Sequence, residues 1–336
     1  MGMNDNWVGQ TVLVTGGTGF MGKLLIKKLL DYGAEYVISY SRRWNDSELL
    51  AREIDDRRLV IVNGDVRDKQ SLDDVMRRYH PDSVIHAAAY KSVPSAESNP
   101  REVISVNLQG TINVVDSSAE HGVTNLCFIS TDKACAGINT YGKSKALAEA
   151  YVSGKATSSD LYRTFKYFSC RYGNVVGSTG SVFGVFKDSD TYTITNPEMT
   201  RFWFRKNSAA EFVLDSFDRA SGGEVFVPYL SSSTMRDFTN AWQKTINKPI
   251  KIIGTRAGEK LHEKMISDDE MPNAVWLPKW DVFAILPDGY DRNLLSVAWE
   301  QVERGDWKTS GFTSANTRHY SNAELKKLIQ EYLEQS

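Results

Sequence analysis

Residues 11 to 30 read T-V-L-V-T, then G-G-T-G-F-M-G, then K-L-L-I-K-K-L-L at the end of the helical stretch. A β-branched run of strand length, a glycine turn and an apolar stripe at helical spacing allow essentially one local structure, strand, turn and helix. Gly16, Gly19 and Gly22 have the G-x-x-G-x-x-G spacing. Glycine permits the tight turn, lets the backbone approach a pyrophosphate and lets helix pack closely on strand, while the helix N-terminus offers its unpaired N–H groups to phosphate. Thr18, Phe20 and Met21 share this turn and are expected to line a dinucleotide.

The pattern recurs along the chain. Apolar runs at 36–40, 59–62, 83–89 and 126–130 alternate with helix-like segments at 71–79, 101–121 and 141–151. Alternation of this kind predicts a Rossmann-type, doubly wound parallel α/β sheet with buried strands. After residue 172 the chain turns to Gly-, Ser- and Thr-rich stretches such as G-N-V-V-G-S-T-G-S, as binding loops do. The expected division is an NAD(P)-binding domain over 1–172, rejoined by segments near 207–228. A smaller C-terminal substrate-binding lobe, interleaved with it, is expected over 173–206 and 229–336.

With 336 residues, 41% hydrophobic and 24% charged, the chain can bury one large core or two that share an interface. A net charge of -2 gives no electrostatic reason to expect nucleic acid or an anionic membrane as partner. Cys127, Cys135 and Cys170 form no C-x-x-C pair, which disfavours a disulfide framework or a metal site and fits a reducing cytoplasm. No stretch reaches membrane-spanning length.

The second strand ends Tyr40-Ser41-Arg42-Arg43, where an NAD site would carry a carboxylate for the ribose hydroxyls. A hydroxyl and two guanidiniums suit a 2'-phosphate, so NADP is expected, with NAD the alternative. Asp65 and Val66 are expected near the adenine, and Ala87, Ala88 and Ala89 beside the cofactor. Tyr141 and Lys145, four apart, share a helical face, so the ammonium is expected to lie near the phenol and lower a pKa of about 10. Asp132 and Lys133, just upstream on S-T-D-K, add an acid and a base that a simple dehydrogenase does not need.

These features, with Asn107 ahead of Gly110-Thr111, resemble the extended short-chain dehydrogenase/reductase superfamily. The chain is more similar still to the soluble UDP-N-acetylglucosamine 4,6-dehydratases that invert carbon 5. The matching segments are A-A-Y-K-S-V-P (88–94), S-T-D-K-A (130–134), R-Y-G-N-V-V-G-S (171–178), M-T-R-F-W (199–203), G-G-E-V-F-V-P (222–228) and R-A-G-E-K-L-H-E (256–263). Related nucleotide-sugar dehydratases usually carry Thr-Asp-Glu where this chain has Thr131-Asp132-Lys133.

The resemblance implies that Tyr141 takes the 4-hydroxyl proton as hydride passes to the cofactor. Lys133 would then remove the carbon 5 proton, helped toward neutrality by Lys145, and Asp132 would protonate the departing 6-hydroxyl. It further implies that Lys91 and Asn107 serve the cofactor, and that Lys91, Asn174, Met199, Thr200, Arg201, Arg256 and Glu259 serve a UDP-amino-sugar. A homo-oligomer paired through the helices of Asn107 and Tyr141 is implied as well. Ser92, Arg42-Arg43 and Tyr229 depart from the family pattern. A 4-epimerase and a 5,6-dehydratase are the rival enzymes, and a redox sensor or RNA-binding protein is the rival without catalysis. His86 reads as a core histidine.

Overall fold

Val12, Leu13 and Val14 are all fully buried. Successive strand residues face opposite sides, so such a strand needs cover on both faces. The computed structural model describes residues 5–158, 165–256, 258–302, 307 and 310–335. Strands β1 (Thr11–Thr15), β2 (Tyr36–Ser41), β3 (Leu59–Asn63), β4 (Ser83–His86), β5 (Asn125–Ile129) and β6 (Lys166–Cys170) form the parallel part of one sheet. Between them run helices α1 (Phe20–Asp31), α2 (Trp44–Ile54), α3 (Lys69–Tyr79), α4 (Val93–Ser98), α5 (Pro100–Val103), α6 (Gly110–Glu120) and α7 (Thr140–Thr157). A wider π-type turn over Ile104–Gln109 joins α5 to α6 and carries Asn107.

The second half of the chain contributes strands β7 (Asn174–Val175), β8 (Tyr192–Ile194), β9 (Thr200–Phe204), β10 (Val225–Pro228), β11 (Ser232–Thr234), β12 (Ile250–Ile252), β13 (Lys264–Ile266), β14 (Ala274–Leu277), β15 (Val282–Ile285), β16 (Glu300–Gln301) and β17 (Phe312–Thr313). Its helices are α8 (Val182–Asp188), α9 (Lys206–Arg219), α10 (Met235–Thr245) and α11 (Asn322–Glu334). The main sheet has the order β16-β14-β15-β10-β6-β5-β4-β1-β2-β3. Its parallel part, β3 to β10, is the expected Rossmann-type sheet. Beyond β10 the strands β15, β14 and β16 run antiparallel. Residues 274–301, assigned above to the substrate lobe, therefore extend the main sheet. The alternation in A-V-W-L-P-K-W-D-V-F-A-I was the available signal, with Asp281 at φ 53 in the turn. A separate aromatic core, built on Phe183, Phe186, Trp203, Phe238 and Trp242, joins α8, β9, α10 and α11.

Arg171, at the end of β6, ties these parts together. Its guanidinium donates to both oxygens of Glu149 on α7 (3.0 and 2.6 Å), to both oxygens of Glu270 (2.9 and 2.8 Å) and to the Met265 carbonyl (2.8 Å). Removing one partner of a buried ion network strands the others in low dielectric. Arg171→Met should therefore lower stability by about 3–5 kcal/mol, read as a fall in urea midpoint. A loss below about 1 kcal/mol would reduce the cluster to an ordinary surface-like pair.

Candidate active site

The glycine turn is shaped by close backbone approach. A Cβ on Gly16 would lie 2.7 Å from the Ala88 nitrogen, and one on Gly22 would lie 2.3 Å from the Gly16 carbonyl. Gly16 also has φ 71, a left-handed conformation that glycine adopts without strain. Helix α1 starts behind Gly19 with no side-chain cap, which leaves its first N–H groups for an anion. Thr18 N–H donates to Ser41 Oγ (3.2 Å), so the end of β2 abuts the turn. These residues fit a dinucleotide. Ala87 and Ala88 follow β4 at half-buried positions and Ala89 is exposed, so the strand is three residues shorter than expected. Phe20 also lines a cavity of about 310 Å³ with Val176, Gly177, Arg205 and Tyr332.

Around the ends of β2 and β3 the charges are paired. Asp65 accepts from Arg67 (2.6 and 3.0 Å), and Arg42 lies 3.9 Å from Asp65 and 3.6 Å from Glu102. Burial would raise the Asp65 carboxyl, but the Arg67 hydrogen bonds and the Arg67 and Arg42 charges outweigh it and hold it below its ordinary value. Val66 is buried, and a Cβ on Gly110 would lie 2.6 Å from its side chain. Arg43 is exposed and pairs with Asp46 at 3.8 Å.

The catalytic candidates meet where α7 abuts the turn after β5. A Cβ on Gly142 would lie 2.1 Å from the Lys133 carbonyl, so only glycine allows this approach. Asn139 caps α7 through Oδ1 (2.8 Å from Gly142 N) and donates from Nδ2 to the Gly258 carbonyl (3.1 Å). It thereby joins the helix start to the turn of Arg256 and Glu259. Sequence reading missed Asn139, although its place before Thr140-Tyr141 is a capping signal.

Thr131 Oγ1 donates to Asp132 Oδ1 (3.0 Å), and Lys133 Nζ donates to the same oxygen (3.0 Å). Lys133 Nζ also lies 3.6 Å from Glu263 Oε1. Burial would lower the Lys133 pKa, but Asp132 and Glu263 outweigh it and raise it above the ordinary value, with Arg201 opposing them. The expectation that Lys145 drives Lys133 toward neutrality is thus corrected, because two carboxylates hold its proton. Tyr141 is corrected too. Burial raises its phenol, and the lowering influences are the Lys133 charge and a hydrogen bond with Thr131. Lys145 is 2% exposed, stacks over the Phe128 ring at 3.8 Å, and is pushed down to about 7 by burial.

Several other expected contacts are redirected. Asn107 accepts from Tyr90 N–H (2.7 Å) and donates to the Tyr90 carbonyl and Ser144 Oγ (3.1 and 3.0 Å), so it ties the loop after β4 to α7. Lys91 Nζ donates to the Thr179 carbonyl (3.0 Å). Met199 and Thr200 are buried, the latter bonded to His262 and Ser314 (2.9 and 2.6 Å), which leaves neither side chain open to a ligand. Arg201 spends its guanidinium on the carbonyls of Thr200, Leu261 and Lys260. Glu259 accepts from Arg256 N–H (3.1 Å), and the Arg256 side chain is exposed. Asn174 is half-buried at the start of β7. His86 is a core histidine bonded to Thr15 and Thr111, held neutral near 3 by burial. A cavity of about 710 Å³ is lined by Tyr229, Trp276, Phe283 and Trp307 at the antiparallel edge, and none of the expected site residues line it.

A Rossmann-like sheet with a glycine turn and a Tyr-x-x-x-Lys helix defines a short-chain dehydrogenase/reductase of the epimerase/dehydratase type. Residues 12–284 match the family described as polysaccharide biosynthesis protein, and the chain belongs to that family. It is 41% identical over 269 residues, 78% of this chain and 79% of the relative, to the inverting UDP-N-acetylglucosamine 4,6-dehydratase of Campylobacter jejuni subsp. jejuni serotype O:23/36 (strain 81-176). It is also 34% identical over 333 residues, 96% of each chain, to the UDP-glucose 4-epimerase of Rickettsia rickettsii (strain Sheila Smith). The X-ray structure of Pen from Bacillus thuringiensis aligns with a TM-score of 0.86 at 29% identity, covering 97% of this chain and 98% of Pen. The resemblance read from the motifs is therefore borne out, and the chain is an enzyme of the nucleotide-sugar epimerase/dehydratase kind.

Gly142→Ala should leave the fold intact by circular dichroism yet lower turnover by about 10²-fold, since a 1 Å displacement of α7 misaligns Tyr141. Unchanged turnover would mean that α7 tolerates a looser seat on the Lys133 turn.

Proposed function

We propose that the enzyme dehydrates UDP-N-acetylglucosamine to a UDP-4-keto-6-deoxy-N-acetylhexosamine with inversion at carbon 5. The observation that carries this reading is the pair of buried Asp132 and half-buried Lys133 beside Tyr141. Tyr141 first releases to solvent the phenol proton that burial holds on it, aided by the Lys133 charge; as phenolate it accepts the 4-hydroxyl proton, and the ketone formed at carbon 4 acidifies the proton on carbon 5. The Lys133 proton first passes to Asp132 across their 3.0 Å hydrogen bond; Lys133 then removes the carbon 5 proton while Asp132 protonates the departing 6-hydroxyl, and water leaves. Carbon 5 is then reprotonated from the opposite face. A nicotinamide cofactor, when bound, supplies the hydride acceptor and donor for carbons 4 and 6. Gly16, Thr18, Gly19, Phe20, Met21 and Gly22 would hold its pyrophosphate. Ser41, Arg42 and Arg43, with no carboxylate at the end of β2, favour NADP over NAD. Asn174, Arg256 and Glu259 stand as the UDP-binding candidates.

The relatives named 4-epimerases motivate a second reading. An epimerase needs no acid and base beyond the tyrosine, and burying the Asp132 carboxylate without use would be costly. The enzyme is proposed to act in the cytoplasm as a homo-oligomer. Ile104 (52% exposed) and Leu147 (57%) on the outer face of the helix pair support this, and no described helix is long and apolar enough to cross a membrane.

Proton NMR with UDP-N-acetylglucosamine in deuterated water is the test. A methyl signal with deuterium at carbon 5 is the expected result, and its ring couplings report inversion. Vinyl signals would indicate the 5,6-alkene, and a C4 epimer without a methyl would indicate the epimerase. Tyr141→Phe should lower the rate by about 10²–10⁴-fold. Lys133→Met should still oxidise carbon 4 and accumulate reduced nicotinamide without eliminating water. Light scattering at micromolar protein should report a dimer or larger, and a monomer mass would remove the oligomer from the proposal.

A further inference from the structure

Glu263 closes the R-A-G-E-K-L-H-E segment, yet it lies apart from the turn of Arg256 and Glu259. It is 4% exposed, with Oε1 3.6 Å from Lys133 Nζ and 3.8 Å from Arg201 Nε. Its other oxygen, Oε2, is buried and has no hydrogen-bond partner among the described residues, and the same is true of Asp132 Oδ2. The backbone of Glu263 is pinned on both sides. Its N–H donates to Ser314 Oγ (2.9 Å), and Ser314 N–H donates to its carbonyl (2.8 Å). Ser314 in turn bonds Thr200, so the carboxylate is presented to Lys133 from a fixed support.

We propose that Glu263 is a positioning residue for the dehydration, a counter-carboxylate that aims the Lys133 amine and keeps it protonated until the sugar binds. This rests on the base role given to Lys133 above. Among the described residues, the ionisable groups that face Lys133 are Asp132 on its own turn, Arg201 on β9, Glu263 on the segment beside β9, and Tyr141 on α7. With Asp132, Lys133, Arg201 and Glu263 all ionised, their charges cancel. Passing the Lys133 proton to Asp132 across their 3.0 Å hydrogen bond leaves an imbalance, with Glu263 facing a neutral amine, and this opposes the base form. Replacing Glu263 by glutamine removes that imbalance. In the native enzyme a sugar hydroxyl that reaches the buried, unpartnered Oε2 draws charge away from Oε1 and loosens its hold on Lys133. The base is thus released when substrate is in place.

The full-length protein labelled with ¹³C at lysine Cε tests this, with the Lys133 resonance assigned by its loss in Lys133→Met. In Glu263→Gln the Lys133 midpoint should fall by about one to two pH units. Because the rate rises with pH as the base loses its proton, the acidic limb of kcat/KM should move down by the same interval. Glu263→Asp, which keeps the charge but retracts it by one methylene, should move the limb part of the way, and it carries the test if the glutamine variant does not fold. A folded Glu263→Gln with an unchanged Lys133 midpoint and an unchanged limb would overturn the proposal. If the wild-type enzyme makes no keto-sugar while the midpoint still falls, the Glu263–Lys133 coupling stands and the assigned reaction fails.

Discussion

Helix α7 meets the turn of Asp132 and Lys133 with only a hydrogen atom of Gly142 between its backbone and the Lys133 carbonyl. Everything chemical in the site follows from that approach. Tyr141 precedes Gly142 and shares its buried surroundings with Thr131, Asp132 and Lys133, so four polar groups from two elements occupy one small volume. Asn139 carries the arrangement outward by capping α7 and holding Gly258. Arg171 carries it in the other direction, since Glu149 lies on the same helix and Glu270 lies in the second half of the chain. Close packing transmits displacement, so the helix cannot shift without disturbing both.

Burial then sets the electrostatics, and the neighbours decide which way each group moves. Lys145 has a ring beneath it rather than a carboxylate at contact distance, so desolvation prevails and its pKa falls. Lys133 is only half-buried and faces Asp132 and Glu263, so the opposite holds. Two lysines twelve residues apart thus have opposite character for one physical reason. Among the described residues, two buried carboxylate oxygens of this cluster, Asp132 Oδ2 and Glu263 Oε2, have no hydrogen-bond partner.

Much of this was legible in the chain. The glycine turn, the alternating strands and helices and the Tyr-x-x-x-Lys spacing are local patterns, and local patterns follow from backbone geometry and side-chain periodicity. The antiparallel addition of β14 to β16 was less so, because a short apolar alternation does not state which sheet edge it will join. Met199, Thr200 and Arg201 were read as ligand contacts from their segment, but tertiary packing turned two inward and spent the third on backbone carbonyls.

The sequence by itself determined the dinucleotide turn, the parallel sheet and the residue types available for proton transfer, since each depends on neighbours a few positions away. Only the tertiary structure decided which charges face one another. Glu263 lies 130 positions from Lys133 along the chain, and nothing in its spacing points there. The protonation of Lys133 depends on distances of a few ångströms in a medium that screens poorly, and such distances exist only after the sheet, α7 and the segment beside β9 have packed together.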